Sequence, residues 1–470
     1  MITENALIIF PLTLEQKLFI LKQKILPVKK ENGFLKVAIH HESQQEQVNL
    51  FEFVLEDPLC FLLMPLEKIT FFLYKFYNPL NDLSDHSQLS AKNFIHYLFM
   101  QAIFQKASDI HLEPGQQHYT LRLRIDGLLH ILFTLPIPQA HLITTRLKVL
   151  FQCDIGQKRL PQDGRFHFTT DHGLTKNLRL STCPTFYGEK CVIRILDTEE
   201  EILNIDHLGL QNPEKIKILT AIKKPQGFIL VTGPTGSGKT VTLYTLLKIL
   251  NQPEKNIYTA EDPIEIYMEG VHQTSINPKI QLNFAQLLRA FLRQDPDIIM
   301  IGEIRDFETA DIAIKAAQTG HLVLSTLHTN SASNTLARLI NLGISPLNLT
   351  DSLQLIIAQR LLRKLCNHCK SPWTPSQELL QKLEFFSAKN PTFYQPQGCN
   401  HCLKGYSGRT GIFEVMPITP TLAELLWTTS SSSVLKQRAL QEGMVTLRQA
   451  ALQKVMKGET SLSEANRLTL

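Results

Sequence analysis

From Ala91 the stretch AKNFIHYLFMQAIFQKA places Phe94, Leu98, Ile103 and Phe104 at helical spacing, which predicts a helix with one apolar stripe. The pattern then shortens to a period of two. YTLRLRIDG (119–127), RFHFTT and NLRLST alternate apolar with polar residues and break at Asp-Gly and Gly turns, as antiparallel strands do. Past residue 200 the texture changes again. GFILVTG (227–233), NIYTAED (256–262), DIIMIGE (297–303) and HLVLSTLHT (321–329) are apolar runs separated by helical segments. Buried strands alternating with helices predict a largely parallel sheet with helices on both faces. Residues 1 to about 78 mix short apolar runs with charge, and the C-terminal residues carry polar helical segments. The serine run TTSSSS there reads as a loop and helix cap. NDLSDHSQLS (81–90) and DTEEE (197–201) read as linkers.

Composition adds bounds. At 470 residues the chain is too long for one core and predicts roughly three domains. Hydrophobic content of 43% and charged content of 19% are those of an ordinary soluble protein. A net charge of +5 gives no reason to invoke nucleic acid. The start, MITENALIIFPLTLEQ, lacks the basic region of a secretory signal, and no apolar run approaches the ~18–20 residues that span a bilayer. The expected location is cytoplasmic, where cysteine clusters more often bind metal than form disulfides.

Gly233-Pro234-Thr235-Gly236-Ser237-Gly238-Lys239-Thr240 fits the phosphate-binding pattern G-x-x-x-x-G-K-[ST]. An apolar strand, FILVT, leads in, and Leu243, Leu246, Leu247 and Leu250 form a helix stripe behind it. Such a loop turns its N–H groups toward phosphate oxygens of ATP at the positive end of a helix. Lys239 is expected on the β/γ-phosphates and the Thr240 hydroxyl on Mg²⁺. DPDIIMIGEIRD then brings Glu303 to the end of a strand, where it would orient or deprotonate water; the alternative is a surface carboxylate paired with Arg305. Glu261 ends another strand in AEDPIE and is expected to hold Mg²⁺ through water, or else to belong to a Pro-stiffened turn. His328, at a third strand end, would sense the γ-phosphate or be structural.

These four motifs, in this order, resemble the secretion ATPases of the type II secretion and type IV pilus assembly superfamily, the GspE/PilB group. TGPTGSGKT matches its Walker A, EDPIE its aspartate box, RQDPDIIMIGEIRD its Walker B and GHLVLSTLHTNSA its histidine box. ASDIHLEP, RLPQDGR, LRLSTCPTFYGEKCVIRIL and GRTGIFEVM match as well, so the resemblance covers about residues 91–470. It implies an α/β fold in which a PAS-like α+β domain precedes a RecA-like P-loop ATPase domain, with six chains in a ring. It also implies that Arg179 and Arg194 reach nucleotide phosphates, and that Arg289 and Arg293 lie near the site; from the residues alone, Arg179 and Arg194 are also consistent with solvent-facing strand positions. Gln157 departs from the family's usual acidic residue, a change expected to touch a surface contact.

CNHC occurs twice, at Cys366–Cys369 and Cys399–Cys402, with 29 residues between the clips. Four thiolates suffice for a closed structural Zn²⁺ site; His368 and His401 are alternative ligands, and a redox pair is the rival reading. The family's assembly members carry this element. Cys60, Cys153, Cys183 and Cys191 lack ligand spacing and are expected in the core.

The expected organisation is an N-terminal partner-binding domain (1–80), a linker (81–90), the PAS-like domain (91–197), a second linker (198–206), the RecA-like core (207–360), a zinc subdomain (361–418) and a helical C-terminal region (419–470). The function implied is a hexameric ATPase powering pseudopilus assembly in type II secretion, or alternatively type IV pilus assembly. It would meet inner-membrane platform proteins through its N-terminal region and lie at the membrane only through them. A nucleic-acid translocase is the competing class, suggested by the basic flank QRLLRKLCNHCK, but no long basic stripe or base-stacking module supports it.

Overall fold

The computed structural model describes residues 10, 12–31, 33–44, 58–78, 80, 89–171, 173–196, 203–376, 378–379, 393–429 and 431–470. Most of the two expected linkers therefore lies outside the described residues. The chain divides into two compact units, residues 1–198 and 199–470.

In the first unit, β1 (Leu26–Glu31) pairs antiparallel with β2 (Phe34–Ile39), which pairs parallel with β3 (Leu59–Leu63). Six further strands form one antiparallel sheet: β4 (Ala107–Pro114), β5 (His118–Ile125), β6 (Leu128–Pro136), β7 (Gln162–Thr169), β8 (Thr175–Thr185) and β9 (Gly188–Leu196), in the order β6-β5-β4-β9-β8-β7. Their alternation sorts the faces. Ile110, Leu112, Leu121, Leu123, Leu178, Leu180 and Ile193 are buried, and helices Ala91–Phe104 and Ile137–Leu150 pack on the sheet. The opposite parity is charged, and strand register aligns it in a row: Arg165 opposite Arg179, Arg179 opposite Arg194, Arg194 opposite Asp109, and Asp109 opposite Arg124. Asp171, in the turn between β7 and β8, accepts from Tyr74 Oη at 2.6 Å and, through its backbone oxygen, from Lys24 Nζ at 2.7 Å, which ties the N-terminal segment to the six-stranded sheet.

The second unit is built on a seven-stranded sheet of β10 (Gly227–Thr232), β11 (Ile257–Glu261), β12 (His272–Ser275), β13 (Ile298–Ile301), β14 (Leu322–Leu327), β15 (Leu353–Leu365) and β18 (Tyr406–Pro417), in the order β12-β11-β13-β14-β10-β15-β18. Every neighbouring pair is parallel except β15–β18. All six residues of β10 are buried because both faces are covered. Its period of two feeds two cores. Phe228 and Leu230 join Ile299, Ile301, Leu288 and Leu336 on one side; Ile229 and Val231 join Met300, Leu324, Leu243 and Leu247 on the other.

The expected zinc-subdomain boundary at 360/361 is corrected by this sheet. β15 runs through it to Leu365 and pairs with β18 from Leu355↔Pro417 to Leu365↔Tyr406, so both strands belong to the seven-stranded sheet. The excursion between them includes the small pair β16 (Ser371–Trp373) and β17 (Phe393–Gln395), outside that sheet; Phe393 packs with Leu362, Ile412 and Val455 in a third core. Leu-Arg-Lys-Leu hid the strand, because its arginine is neutralised inside the fold. Arg363 donates to Glu464 at 3.0 and 2.7 Å and lies 3.9 Å from the centre of the Tyr406 ring. The cysteine expectation is corrected too: Cys191 is buried, Cys153 partly so, but Cys60 and Cys183 are exposed.

The C-terminal helices close on β15 through Glu464, whose carboxylate also accepts from Arg467 at 2.9 and 2.7 Å. Burial pushes this carboxyl up, but Arg467 and Arg363 more than offset that and hold it at about 2. Because the folded value lies below the ordinary 4.5, its contribution to stability is present above that pH and fades as pH falls toward 2. Glu464→Gln leaves Arg363 without its counter-charge and is expected to cost about 3 kcal/mol in urea unfolding at pH 7, with a smaller difference from wild type at pH 3. An equal difference at both pH values contradicts the assignment.

Candidate nucleotide site and tetracysteine cluster

β10 delivers the chain to the loop Gly233–Gly238, and helix Lys239–Leu250 leaves from it. Two glycines are obligatory. Gly233 has φ +154°, and a Cβ there would sit 2.6 Å from the Gln359 carbonyl oxygen. Gly238, the residue before the helix, has φ +88° and would meet Gln359 Nε2 at 2.8 Å. The Ser237 hydroxyl is buried without a hydrogen-bond partner, and Thr240 is exposed at the helix start. Lys239 Nζ donates to the carbonyls of Gly233 at 2.8 Å and Pro234 at 3.2 Å, closing the loop on itself. Burial lowers this ammonium to about 8, with Glu303 pulling it up and Arg360 adding to the fall. An orphan hydroxyl, a glycine-made curl and a partly desolvated lysine fit an anionic phosphate chain and a cation at Thr240.

The neighbouring strand ends converge on this loop. Thr232 at the end of β10 bonds to Thr329 Oγ1 at 2.5 Å, and Thr326 Oγ1 of β14 donates to the Gly302 carbonyl at 2.6 Å. That stitching sets Glu303 and His328 together. Glu303 Oε2 lies 3.3 Å from His328 Nε2, while its Oε1 accepts from Arg305, which also reaches Asp262 Oδ2 at 3.3 Å. Glu303 is thus paired with Arg305 while it stands at the strand end beside the phosphate loop.

Glu261 is placed differently from the expectation. It is 4% exposed, and its oxygens accept from Tyr244 Oη, from Thr259 Oγ1 at 2.6 Å and from Gln273 Nε2 at 3.1 Å. Burial raises its pKa against these bonds. Three donors make it a buried anchor between helix Lys239–Leu250 and β11, and the neighbouring Asp262 is the more exposed carboxylate. Arg289 is engaged with Glu308 at 2.6 Å, and Arg293 with the Arg289 carbonyl at 2.8 Å; neither bond reaches the phosphate loop. In the first unit, Arg179 meets Asp163 at 3.5 Å and Arg194 meets Asp109 at 3.2 Å. Sequence reading did not single out Arg165 and Arg124, which share their row, nor Gln359 and Arg360, which lie under the loop. Arg165 ends RLPQDGR, but only the strand register shows what it faces.

Cys366, Cys369, Cys399 and Cys402 come together at the end of the β15–β18 pair, with all four Sγ atoms within 4.8 Å of one another. Measured pairs are 3.8 Å (366–399), 3.6 Å (369–402) and 3.7 Å (399–402). Tetrahedral Zn–S bonds of about 2.3 Å place sulfurs about 3.8 Å apart, so the donor set and spacing fit zinc. Backbone N–H groups of Gly398 and Cys399 point at Cys369 Sγ and Cys402 Sγ, both at 3.3 Å, as they would toward thiolates. His368 and His401 stack on each other, with ring centres 4.4 Å apart, and are not part of this four-sulfur group.

Comparison with known proteins decides the family. The Type II/IV secretion system protein family matches residues 84–467. The chain belongs to that family. It is 51% identical over 378 residues to the type IV pilus assembly ATPase PilB of Pseudomonas aeruginosa, covering 80% of this chain and 67% of that one. It is 45% identical over 376 residues to type II secretion system protein E of Dickeya dadantii, covering 80% and 75%. The crystal structure of the pilus retraction motor PilT with bound ADP aligns with a TM-score of 0.54 and 28% identity, covering 80% of this chain and 96% of that one. The chain spans about two thirds of the length of the Pseudomonas and Acinetobacter pilus assembly ATPases it matches. Its fold is that of the RecA-like secretion ATPases, and its enzymatic class is ATPase. Membership in the family implies the use of nucleotide and Mg²⁺.

Purified protein is expected to carry about one Zn²⁺ per chain by elemental analysis, and Cys366→Ser to release it. Without the metal, only the packing of residues such as Phe393 and Trp373 offsets the ordering entropy of the excursion between β15 and β18, so limited proteolysis should cut there first. Metal-free wild-type protein with the same protease resistance contradicts this.

Proposed function

We propose that this protein hydrolyses ATP to power assembly of a pseudopilus or pilus at the cytoplasmic face of the inner membrane. The observation that carries the reading is the convergence of Lys239, Glu303 and His328 at the carboxyl ends of β10, β13 and β14. Lys239 would leave the Gly233 and Pro234 carbonyls for the β/γ-phosphates, and Thr240 would take Mg²⁺. The metal, when bound, neutralises charge on the phosphates. Glu303, aimed by Arg305 on one oxygen and His328 on the other, would orient and accept a proton from the attacking water. Asp262, the more exposed carboxylate, would complete the Mg²⁺ side.

Zn²⁺ bound by the four cysteines would be structural, since it lies beyond the sheet residues that build the phosphate loop. Six chains forming a ring, with Arg179 and Arg194 approaching phosphates, agree with the family resemblance and with the charged row they share. Platform proteins of the inner membrane would bind the N-terminal region; among the described residues no helix is long and apolar enough to cross a membrane. No nucleic-acid role is proposed. Arg360 is buried and Arg363 of the basic flank is half-buried against Glu464, so the flank is not a continuous stripe facing solvent.

Type II secretion is the first reading of that function, supported by the likeness to type II secretion system protein E. Type IV pilus assembly is the second, supported by the higher identity to PilB, 51% against 45%.

Lys239→Ala is expected to abolish hydrolysis with the fold retained. Glu303→Gln should still bind ATP but turn it over ~10²–10⁴-fold more slowly. Phosphate release measured beside nucleotide binding checks both; near-wild-type turnover in either variant would falsify the corresponding role.

A further inference from the structure

Arg360 is 8% exposed, one residue beyond the Gln359 that packs under the phosphate loop. Among the described residues it forms no ion pair, and its guanidinium is held by neutral oxygens only. Nη1 donates to the Gln359 carbonyl at 2.9 Å. Nη2 donates to both the carbonyl and the side-chain oxygen of Asn330, at 3.1 and 3.2 Å. Burial lowers its pKa, and the charge of Glu414 opposes that fall; the Glu414 carboxylate is itself bonded to the Ala332 N–H at 2.8 Å. A buried cation without a direct ion pair is costly, so a fold that keeps one uses its directional bonds.

Those bonds join two parts of the site. Gln359 Oε1 accepts from Thr242 of the helix that follows the phosphate loop, at 2.7 Å. Asn330 stands two residues after His328, the partner of Glu303, and follows Thr329, which bonds to Thr232 at the end of β10. The path therefore runs Thr242–Gln359–Arg360–Asn330 on one side and Thr232–Thr329 on the other, with the His328 loop fixed between them. Removing the guanidinium would free one side of that loop while leaving Lys239, Thr240 and Ser237 in place.

Resting on the ATPase reading above, we propose that Arg360 is a positioning residue for hydrolysis: it clamps the 328–330 loop through Asn330 so that His328 stays on Glu303. It acts through His328 rather than on the nucleotide. The expected signature is a fall in kcat with little change in KM, because ground-state contacts to the phosphates are untouched. Small displacements remote from the chemistry cost up to ~10²-fold.

The test is steady-state hydrolysis by the full chain, comparing wild type, Arg360→Gln, Asn330→Ala and His328→Ala, together with the double variant Arg360→Gln/His328→Ala. Arg360→Gln should lower kcat by roughly 10- to 100-fold with KM for ATP within about threefold. Asn330→Ala, at an exposed position that keeps its backbone carbonyl, should lower it less. In the His328→Ala background, Arg360→Gln should cost almost nothing further, since the two act as one unit. A multiplicative loss in the double variant, or an Arg360→Gln effect confined to KM, overturns the proposal. If Arg360→Gln fails to fold, Asn330→Ala decides: unchanged kcat there overturns it, and a reduced kcat removed by His328→Ala supports it. Wild type without any ATPase activity would instead defeat the functional reading itself.

Discussion

The parallel register of β10, β13 and β14 is the constraint on which the site depends. Thr232 pairs with Leu327 and Ile301 with Ser325, so three strands end at nearly the same level. Chain direction then makes every exit a potential ligand of one object beyond the sheet edge. The phosphate loop leaves β10, Gly302 and Glu303 leave β13, and His328 and Thr329 leave β14. Side-chain hydroxyls lock these exits together: Ser325 donates to the Ile301 carbonyl at 2.9 Å, Thr326 to that of Gly302, and Thr232 meets Thr329. The hydroxyls are buried and bonded, so they fix geometry without adding charge beside the phosphates.

Much of this was legible because fully buried parallel strands are continuous apolar runs. GFILVT, NIYTAE and LVLSTL stand out against polar helical surroundings, and the glycine-rich loop has a spacing of its own. β15 was not legible as a strand. Its second half carries Arg360, Arg363 and Lys364, and its partners Asn330 and Glu464 lie 30 and 101 residues away. The pattern of burial there is set by partners that no local window contains. Glu261 misled for the same reason: Tyr244, 17 residues earlier, turns a strand-end acid inward. In the first unit the alternation announced strands, but the row of Arg165, Arg179, Arg194, Asp109 and Arg124 exists only once the register is known.

The tetracysteine cluster fits the same logic. The β15–β18 pair extends the ATPase sheet and then projects a long excursion with little apolar content. Four sulfurs at tetrahedral spacing supply a local anchor beside the third core, in which Phe393 of the excursion packs with Leu362, Ile412 and Val455. Glu464 performs the corresponding task for the C-terminal helices by neutralising Arg363 on β15. Both devices secure the outer edge of the sheet whose inner strands hold the phosphate loop.

The central claim is that the phosphates of ATP lie between Lys239 and the Glu303–His328 pair. It is tested most directly by an experimental structure of the full chain with Mg²⁺ and a non-hydrolysable ATP analogue. The account predicts that Lys239 Nζ leaves the Gly233 and Pro234 carbonyls for phosphate oxygens, with Thr240 on the metal and Glu303 facing the γ-phosphate. Nucleotide bound with Lys239 still closed on those carbonyls, or with Glu303 turned away from the γ-phosphate, would contradict it.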